Sequence, residues 1–358
     1  MKKVLLHIIA AEGVGGTRTV VNDIKNSSLR NNYIFSDLVQ EEICGTNVLK
    51  AILFVRKYRK IIKASGADVI YVCGLLYSGF LMTLAARLSS IPNIIVSVHG
   101  SEMDKDSNNW FKKIVFGYII EPWTVRMADS VVTVCKKELS NPSIRRGDRG
   151  NVRGVIYNVA PKVDISTIPF GEFRKSIGCS QEKIIVAIVG RVVEDKGHRY
   201  IIDAINRIEN DRYVFVVVGD GPYLNHYYDE CDELIRKHRL FLLGVRNDVF
   251  QILRDCDIFL FATLHENHSK SLLEAVMLKC AVICTDVGGN TETIDDEMGI
   301  IIQPRDSDAI IRALFRMEDE QLRSHYADRA YEIVSNKFSE KNTIGKLDTI
   351  FQSYDSTI

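Results

Sequence analysis

Two carboxylates and two cations in the second half of the chain have the types and spacing to grip an anionic, hydroxyl-rich ligand. Glu266 and Glu274 are separated by seven residues within HENHSKSLLEAVML; the first follows the apolar run DIFLFATL, and the second falls in the opening turns of a helix that Ser269 or Ser271 can cap. A loop carboxylate and a helix carboxylate placed in this way can line one crevice. Glu274 is suited to accept two hydrogen bonds from a vicinal diol such as a ribose, and Glu266 to bind a sugar hydroxyl or stabilise positive charge at an anomeric carbon. Arg191 and Lys196, in IVGRVVEDKGHRY, flank a turn before a helix. They can clamp a diphosphate, the guanidinium by bidentate hydrogen bonds and the ammonium as a point charge. Each element also has a plain reading on its own: glutamates favouring a helix dipole, and surface cations beside a turn.

Other loops could complete such a site. In VVVGDGPY, Gly219 and Gly221 permit a tight turn after a strand, and in LGVRNDV the loop around Val245 could present backbone groups to a base. Asp286-Val287-Gly288-Gly289 would let backbone approach whatever fills the crevice. Near the start, AEGVGGTRTV places Gly15 and Gly16 before a helix beginning at about Thr17, whose amides could hold an anion. A dinucleotide GxGxxG starting at Gly13 would need its third glycine where Arg18 stands, which removes the main support for a nicotinamide dehydrogenase. Asp-x-Asp pairs occur at Asp104/Asp106 and Asp255/Asp257; the latter flank Cys256 at a helix-to-strand junction and read as structural. No metal site is expected.

The elements that position these residues follow from hydrophobic patterning. Apolar runs at 4–10, 33–39, 69–73, 93–98, 131–134 and 152–157, then 183–189, 213–218, 240–242, 258–261, 281–284 and 299–302, alternate with helically spaced segments. This is the pattern of βαβ units and parallel sheets, here in two successive doubly wound sets. Residues 158–182 lack periodicity and hold two of the seven prolines, which makes them the linker. The expected architecture is α/β: a first Rossmann-like domain over 1–165, a second over 166–338, and a C-terminal helix in 339–358 that rejoins the first.

At 358 residues with 46% hydrophobic and 26% charged content, the chain has the composition of a globular protein. No apolar run reaches the roughly 18–20 residues of a membrane-spanning helix. The eight cysteines form no CxxC pair, as expected of a reduced, cytoplasmic setting. The zero net charge conceals an asymmetry: 23 Lys and Arg against 14 Asp and Glu in residues 1–165, and 23 against 32 in the remainder. A basic first half favours an anionic partner.

Taken together, GRVVEDKG, VVVGDGP, LGVRNDV, CDIFLFATLHENHSKSLLEAVML and DVGGNTE, in this order and spacing, closely resemble family 4 of the retaining glycosyltransferases. The resemblance is strong from Ile188 to Glu292 and looser in GVGGTRTVV, VSVHGSEMD and VIYNVAP. It implies the GT-B fold, two Rossmann-like domains facing across a cleft, the second binding the donor. It further implies that Arg191 and Lys196 hold the donor diphosphate, that Glu274 binds the nucleotide ribose, and that Glu266 binds the transferred sugar. Amides of Ser271 and Leu272 and the Gly15-Gly16 loop would touch the distal phosphate, and His99 would meet the donor sugar. The chain departs from the pattern at Asn267, where glycine is common, at Asn158 to Pro161 in place of NGVD, and at Thr291 in place of proline.

The activity so implied is metal-independent transfer, with retention, from a nucleotide-diphosphate donor to a hydroxyl of a glycan or polyprenyl-diphosphate-linked acceptor. It would serve bacterial surface polysaccharide assembly: O-antigen, capsule or exopolysaccharide. A UDP-sugar is the first expectation for the donor and GDP-mannose the second; no further cofactor and no nucleic-acid partner is expected. The alternatives are a sugar-nucleotide 2-epimerase or phosphorylase of the same fold, or a non-catalytic nucleotide or nucleic-acid binding protein. SNNWFKKIVFGYIIEP reads first as a core helix with a solvated lysine edge that Pro122 kinks or ends. Its other reading is a basic amphipathic helix making peripheral contact with the inner face of the cytoplasmic membrane. The cations Arg56, Lys57, Arg59, Lys60 and Lys63 add to that attraction.

Overall fold

The computed structural model describes residues 1–9, 16–41, 47–104 and 110–353. These form two compact units, Met1–Val159 together with the chain from Glu340, and Ala160–Ser339. Each contains one six-stranded, wholly parallel sheet.

In the first unit the strands are β1 (Lys2–Ile9), β2 (Tyr33–Gln40), β3 (Val69–Cys73), β4 (Asn93–Val98), β5 (Ser130–Thr133) and β6 (Val152–Val155), in the order β2-β1-β3-β4-β5-β6. Continuous apolar runs such as VIYVC and NIIVSV are buried along their whole length because helices cover both faces. The two-residue period of a strand then sorts side chains into two layers. Val4, Leu6 and Ile8 meet the helix Gly16–Asn26 and the C-terminal Ile344, Leu347 and Phe351, while Leu5, Ile70 and Val96 meet Tyr58, Ile62 and Met82 on the opposite face. Each such side chain removed from water contributes roughly 1.5–3 kcal/mol. Only β2, at the sheet edge, alternates buried and exposed residues.

In the second unit β7 (Ile184–Val189), β8 (Tyr213–Val218), β9 (Leu240–Leu242), β10 (Ile258–Phe261), β11 (Ala281–Thr285) and β12 (Gly299–Ile302) are ordered β12-β11-β10-β7-β8-β9. After β9 the chain returns to the other side of β7, so the direction of winding reverses between β7 and β10. Loops leaving the carboxyl ends of those two neighbours diverge and open a crevice, the usual place for a ligand in such sheets.

All twelve expected strands are present, with ends displaced by at most two residues where both are described. Two expectations need correction. The helix Trp110–Val115 has no buried residue, and Trp110 and Phe111 are 68% and 64% exposed, so it is a surface helix rather than a core helix. Pro122 does not end the helical run either. Five residues of π-helix, Phe116–Ile120, lead directly into a further helix, Glu121–Met127, whose first turn holds Pro122.

Part of the aperiodic stretch 158–182 is docked by polar contacts. Arg174, 5% exposed, donates to the carbonyls of Ser180 and Lys183 at 2.9 and 2.8 Å and to Asp257 Oδ2 at 2.8 Å. Asp255 accepts from the amides of Gly171 and Arg174 at 2.6 and 3.0 Å. Both carboxylates of this Asp-x-Asp pair are thus engaged in holding the helix Glu172–Ser176 on the sheet. Where the chain enters and leaves the second unit, the amide of Ala160 donates to the carbonyl of Phe338 at 2.9 Å.

Candidate functional site

The crevice between β7 and β10 gathers residues from four loops. The turn after β7 carries Arg191 and Lys196. It closes on Gly197, whose φ of +72° is accessible to glycine and whose Cβ, if present, would lie 2.0 Å from the carbonyl oxygen of Ala262. Close approach of this turn to the end of β10 brings Lys196 Nζ to 2.6 Å from Glu266 Oε2, 70 residues away in sequence. The two side chains are only 18% and 16% exposed. Lys196 Nζ also lies 5.5 Å from the centre of the Phe261 ring. Arg191 lines the same hollow but is 71% exposed; its nearest carboxylate is Asp195, at 3.9 Å.

A residue outside the expected set, His198, holds this turn from beneath. It is 1% exposed, with Nε2 3.1 Å from the Arg191 carbonyl and Nδ1 2.8 Å from the Tyr227 hydroxyl. A carbonyl can only accept, so Nε2 carries the proton and Nδ1 accepts from tyrosine. Burial lowers the His198 pKa to about 4, which keeps the ring neutral at pH 7. Its sequence signal was its place directly after Lys196-Gly197, at the first position of the helix His198–Arg207.

On the other side of the crevice, Ser269 is the N-cap of the helix Lys270–Met277: its hydroxyl accepts from the Leu272 amide at 3.2 Å and lies 3.1 Å from Ser271 Oγ. This settles which serine caps. It also gives the Leu272 amide a partner, an interaction that a phosphate would have to share. Glu274 lies half-buried on this helix, eight positions after Glu266 in the chain. The Glu266 loop is clasped by the turn after β11. Gly288, at φ +55°, has no room for a Cβ, which would fall 1.4 Å from the Glu266 carbonyl oxygen, and Gly289 donates to that same oxygen at 3.3 Å. The Gly-Gly turn therefore accommodates the peptide of Glu266, where a close approach to ligand was expected.

Gly219, after β8, is pressed against Gly190, with a hypothetical Cβ 1.8 Å from its carbonyl oxygen, and its amide donates to the Gly244 carbonyl at 2.8 Å. The VVVGDGP and LGVRNDV loops are thereby tied together, leaving Val245 66% exposed beside them. In the first unit, Gly16 begins a helix at the carboxyl end of β1. Gly15 lies outside the described residues, as does Asp106. His99 follows β4; its Nε2 is 3.1 Å from Ser97 Oγ, and burial pushes its pKa down to about 4. Its loop is anchored by Glu121, fully buried, which accepts from the Ser101 hydroxyl and the Glu102 amide at 2.7 Å each. Among the described residues, no three His, Cys, Asp or Glu side chains gather as a metal site.

Comparison with known proteins agrees with this geometry. A family model described as glycosyl transferases group 1 matches residues 169–333, and one described as glycosyl transferase 4-like domain matches 41–153. The UDP-Gal:alpha-D-GlcNAc-diphosphoundecaprenol alpha-1,3-galactosyltransferase of Escherichia coli is 26% identical over 304 residues, covering 82% of this chain and 77% of that one. The capsular polysaccharide biosynthesis glycosyltransferase CapM of Staphylococcus aureus is 24% identical over 371 residues, covering 99% and 91%. Among solved structures, Anabaena Alr3699/HepE in complex with UDP-glucose covers 100% of both chains with a TM-score of 0.76 at 18% identity. Two parallel-sheet units of this topology define the GT-B class. The chain is a GT-B glycosyltransferase of the family 4 type, similar to enzymes of bacterial polysaccharide biosynthesis.

Proposed function

We propose that this glycosyltransferase moves a sugar, with retention and without a metal, from a nucleotide-diphosphate donor to a hydroxyl of a lipid-linked or glycan acceptor in bacterial surface polysaccharide assembly. The observation that carries the proposal is the meeting of Lys196 and Glu266 at the reversal point of the second sheet, beside Arg191. Arg191 and Lys196 hold the diphosphate, and Glu274 takes the ribose diol. Glu266 takes the sugar, and the Ser271 and Leu272 amides face the distal phosphate. Gly219 and Val245 border the base, while Gly15, Gly16 and His99 are the donor-binding residues of the first unit. The bond between the anomeric carbon and the diphosphate oxygen breaks as the acceptor oxygen bonds to that carbon, and the acceptor proton passes to the departing diphosphate. The cations stabilise the charge that develops on the leaving group.

A UDP-sugar is the donor we place first and GDP-mannose second; the UDP-Gal donor of the E. coli relative supports that order, and its diphosphoundecaprenol acceptor supports a lipid-linked one here. The test is a panel of nucleotide sugars, scored by nucleotide release and by product mass on a lipid-linked acceptor. Release from one donor with an acceptor heavier by one sugar is expected. Isomerised donor without acceptor would replace this reading with an epimerase, and a requirement for phosphate with a phosphorylase.

We also propose that the enzyme works at the cytoplasmic face of the membrane, resting on it through the first unit. No helix among the described residues is long and apolar enough to cross a membrane. Trp110, Phe111, Ile114, Tyr118, Ile119 and Trp123 are all at least 43% exposed, with Arg126 and Arg145 exposed nearby. Aromatic and aliphatic side chains flanked by cations suit the interface of an anionic bilayer. The protein should float with phosphatidylglycerol vesicles and not with phosphatidylcholine vesicles, and Trp110→Ser with Phe111→Ser should abolish flotation. Undiminished flotation of that double variant would rule the surface out.

A further inference from the structure

Two side chains with different proposed partners, one for the diphosphate and one for the sugar, are bonded to each other. Lys196 Nζ sits 2.6 Å from Glu266 Oε2, and both are largely withdrawn from water. Glu266 cannot turn away freely: its Oε1 accepts from the Asn267 amide at 3.2 Å, and its carbonyl is held by Gly289. Separating a poorly solvated ion pair leaves each charge without compensation, so neither is released unless another ligand replaces its partner.

We infer that donor binding proceeds by ion exchange at this pair: the diphosphate takes over Lys196, and the sugar hydroxyls take over the Glu266 oxygen that Lys196 gives up. The inference rests on the donor assignment proposed above and adds to it a coupling between the two halves of the donor. An intact nucleotide sugar compensates both charges. A nucleoside diphosphate compensates only Lys196 and leaves Glu266 bare beside a second anion. Once the sugar has been transferred, Glu266 recaptures Lys196 and displaces the spent nucleotide. The pair thus favours substrate over product without any contact to the base.

The exchange makes a prediction opposite to that of a simple binding residue. Glu266→Gln, nearly isosteric and uncharged, should bind UDP, or GDP if the donor panel selects it, about tenfold more tightly than wild type, while losing transfer. Because repulsion between Glu266 and the diphosphate would act in the same direction, the measurement is repeated in a Lys196→Met background by isothermal titration. Loss of the gain in that background supports exchange through Lys196; the same gain there overturns it in favour of plain repulsion. Unchanged or weaker binding by Glu266→Gln alone also overturns it. Failure of the wild type to bind any nucleoside diphosphate would instead overturn the donor assignment on which the inference rests.

Discussion

Glu274→Ala should lower affinity for the donor nucleotide by at least about 100-fold and lower kcat/KM by at least as much. A carboxylate that accepts two hydrogen bonds from neighbouring ribose hydroxyls makes charge-assisted contacts worth roughly 1.5–3 kcal/mol each, and alanine removes both. The side chain lies half-buried on a helix whose N-cap is supplied by Ser269, and unfolding curves separate any loss of fold from loss of binding. Glu274→Gln keeps one acceptor oxygen and should fall between the two. Titration of UDP and GDP into the three proteins, with unfolding curves alongside, gives the answer. Wild-type affinity in Glu274→Ala, with a sound fold, would remove this residue from the nucleotide site.

The second large effect is expected at a residue with no side chain. Gly288→Ala would require a Cβ 1.4 Å from the carbonyl oxygen of Glu266, at a backbone φ of +55°. Left-handed geometry alone costs a non-glycine residue about 1–2 kcal/mol. The overlap cannot be relieved by rotating a side chain, since the obstructing atom is backbone. The loop from Glu266 must move, and with it the carboxylate that meets Lys196. We expect stability to fall by about 2–4 kcal/mol and transfer by 100-fold or more, read from urea unfolding and from initial rates. Retained nucleotide affinity through Glu274 together with lost transfer would be the mark of a displaced Glu266. A variant indistinguishable from wild type in both measurements would show that the loop yields without consequence.

The strands were legible because parallel sheets covered on both faces demand unbroken apolar runs, and VIYVC, NIIVSV and YVFVVV carry that demand openly. The candidate site was legible as a set of residue types, since Arg191, Lys196, Glu266 and Glu274 each stand beside a turn or a cap. Their pairing was not. Lys196 meets Glu266 only because β10 lies against β7, and strand order is a property of the folded sheet that no local pattern records. Hydrophobic periodicity likewise reports that the segment from Trp110 is two-sided, without reporting which side faces the core. Gly288 was visible as a position needing freedom, but the group that approaches it proved to be the Glu266 peptide. His198 and Arg174 escaped because buried polar anchors resemble ordinary surface residues in a sequence.

The hydrogen bond between Ala160 and Phe338 bears on how such enzymes diversify. The second unit is an interruption of the first: the chain departs at Val159 and resumes at Glu340, whose carboxylate accepts from the Ser28 amide at 2.7 Å. The two ends of the interruption are bonded to each other, so residues 160–339 begin and end at one place. An exchange of residues 160–339 for those of a relative would need only two neighbouring junctions and would leave Ile344, Leu347 and Phe351 completing the core of the first unit. With the donor held by the second unit, as proposed above, such an exchange would change the sugar without remaking the first unit.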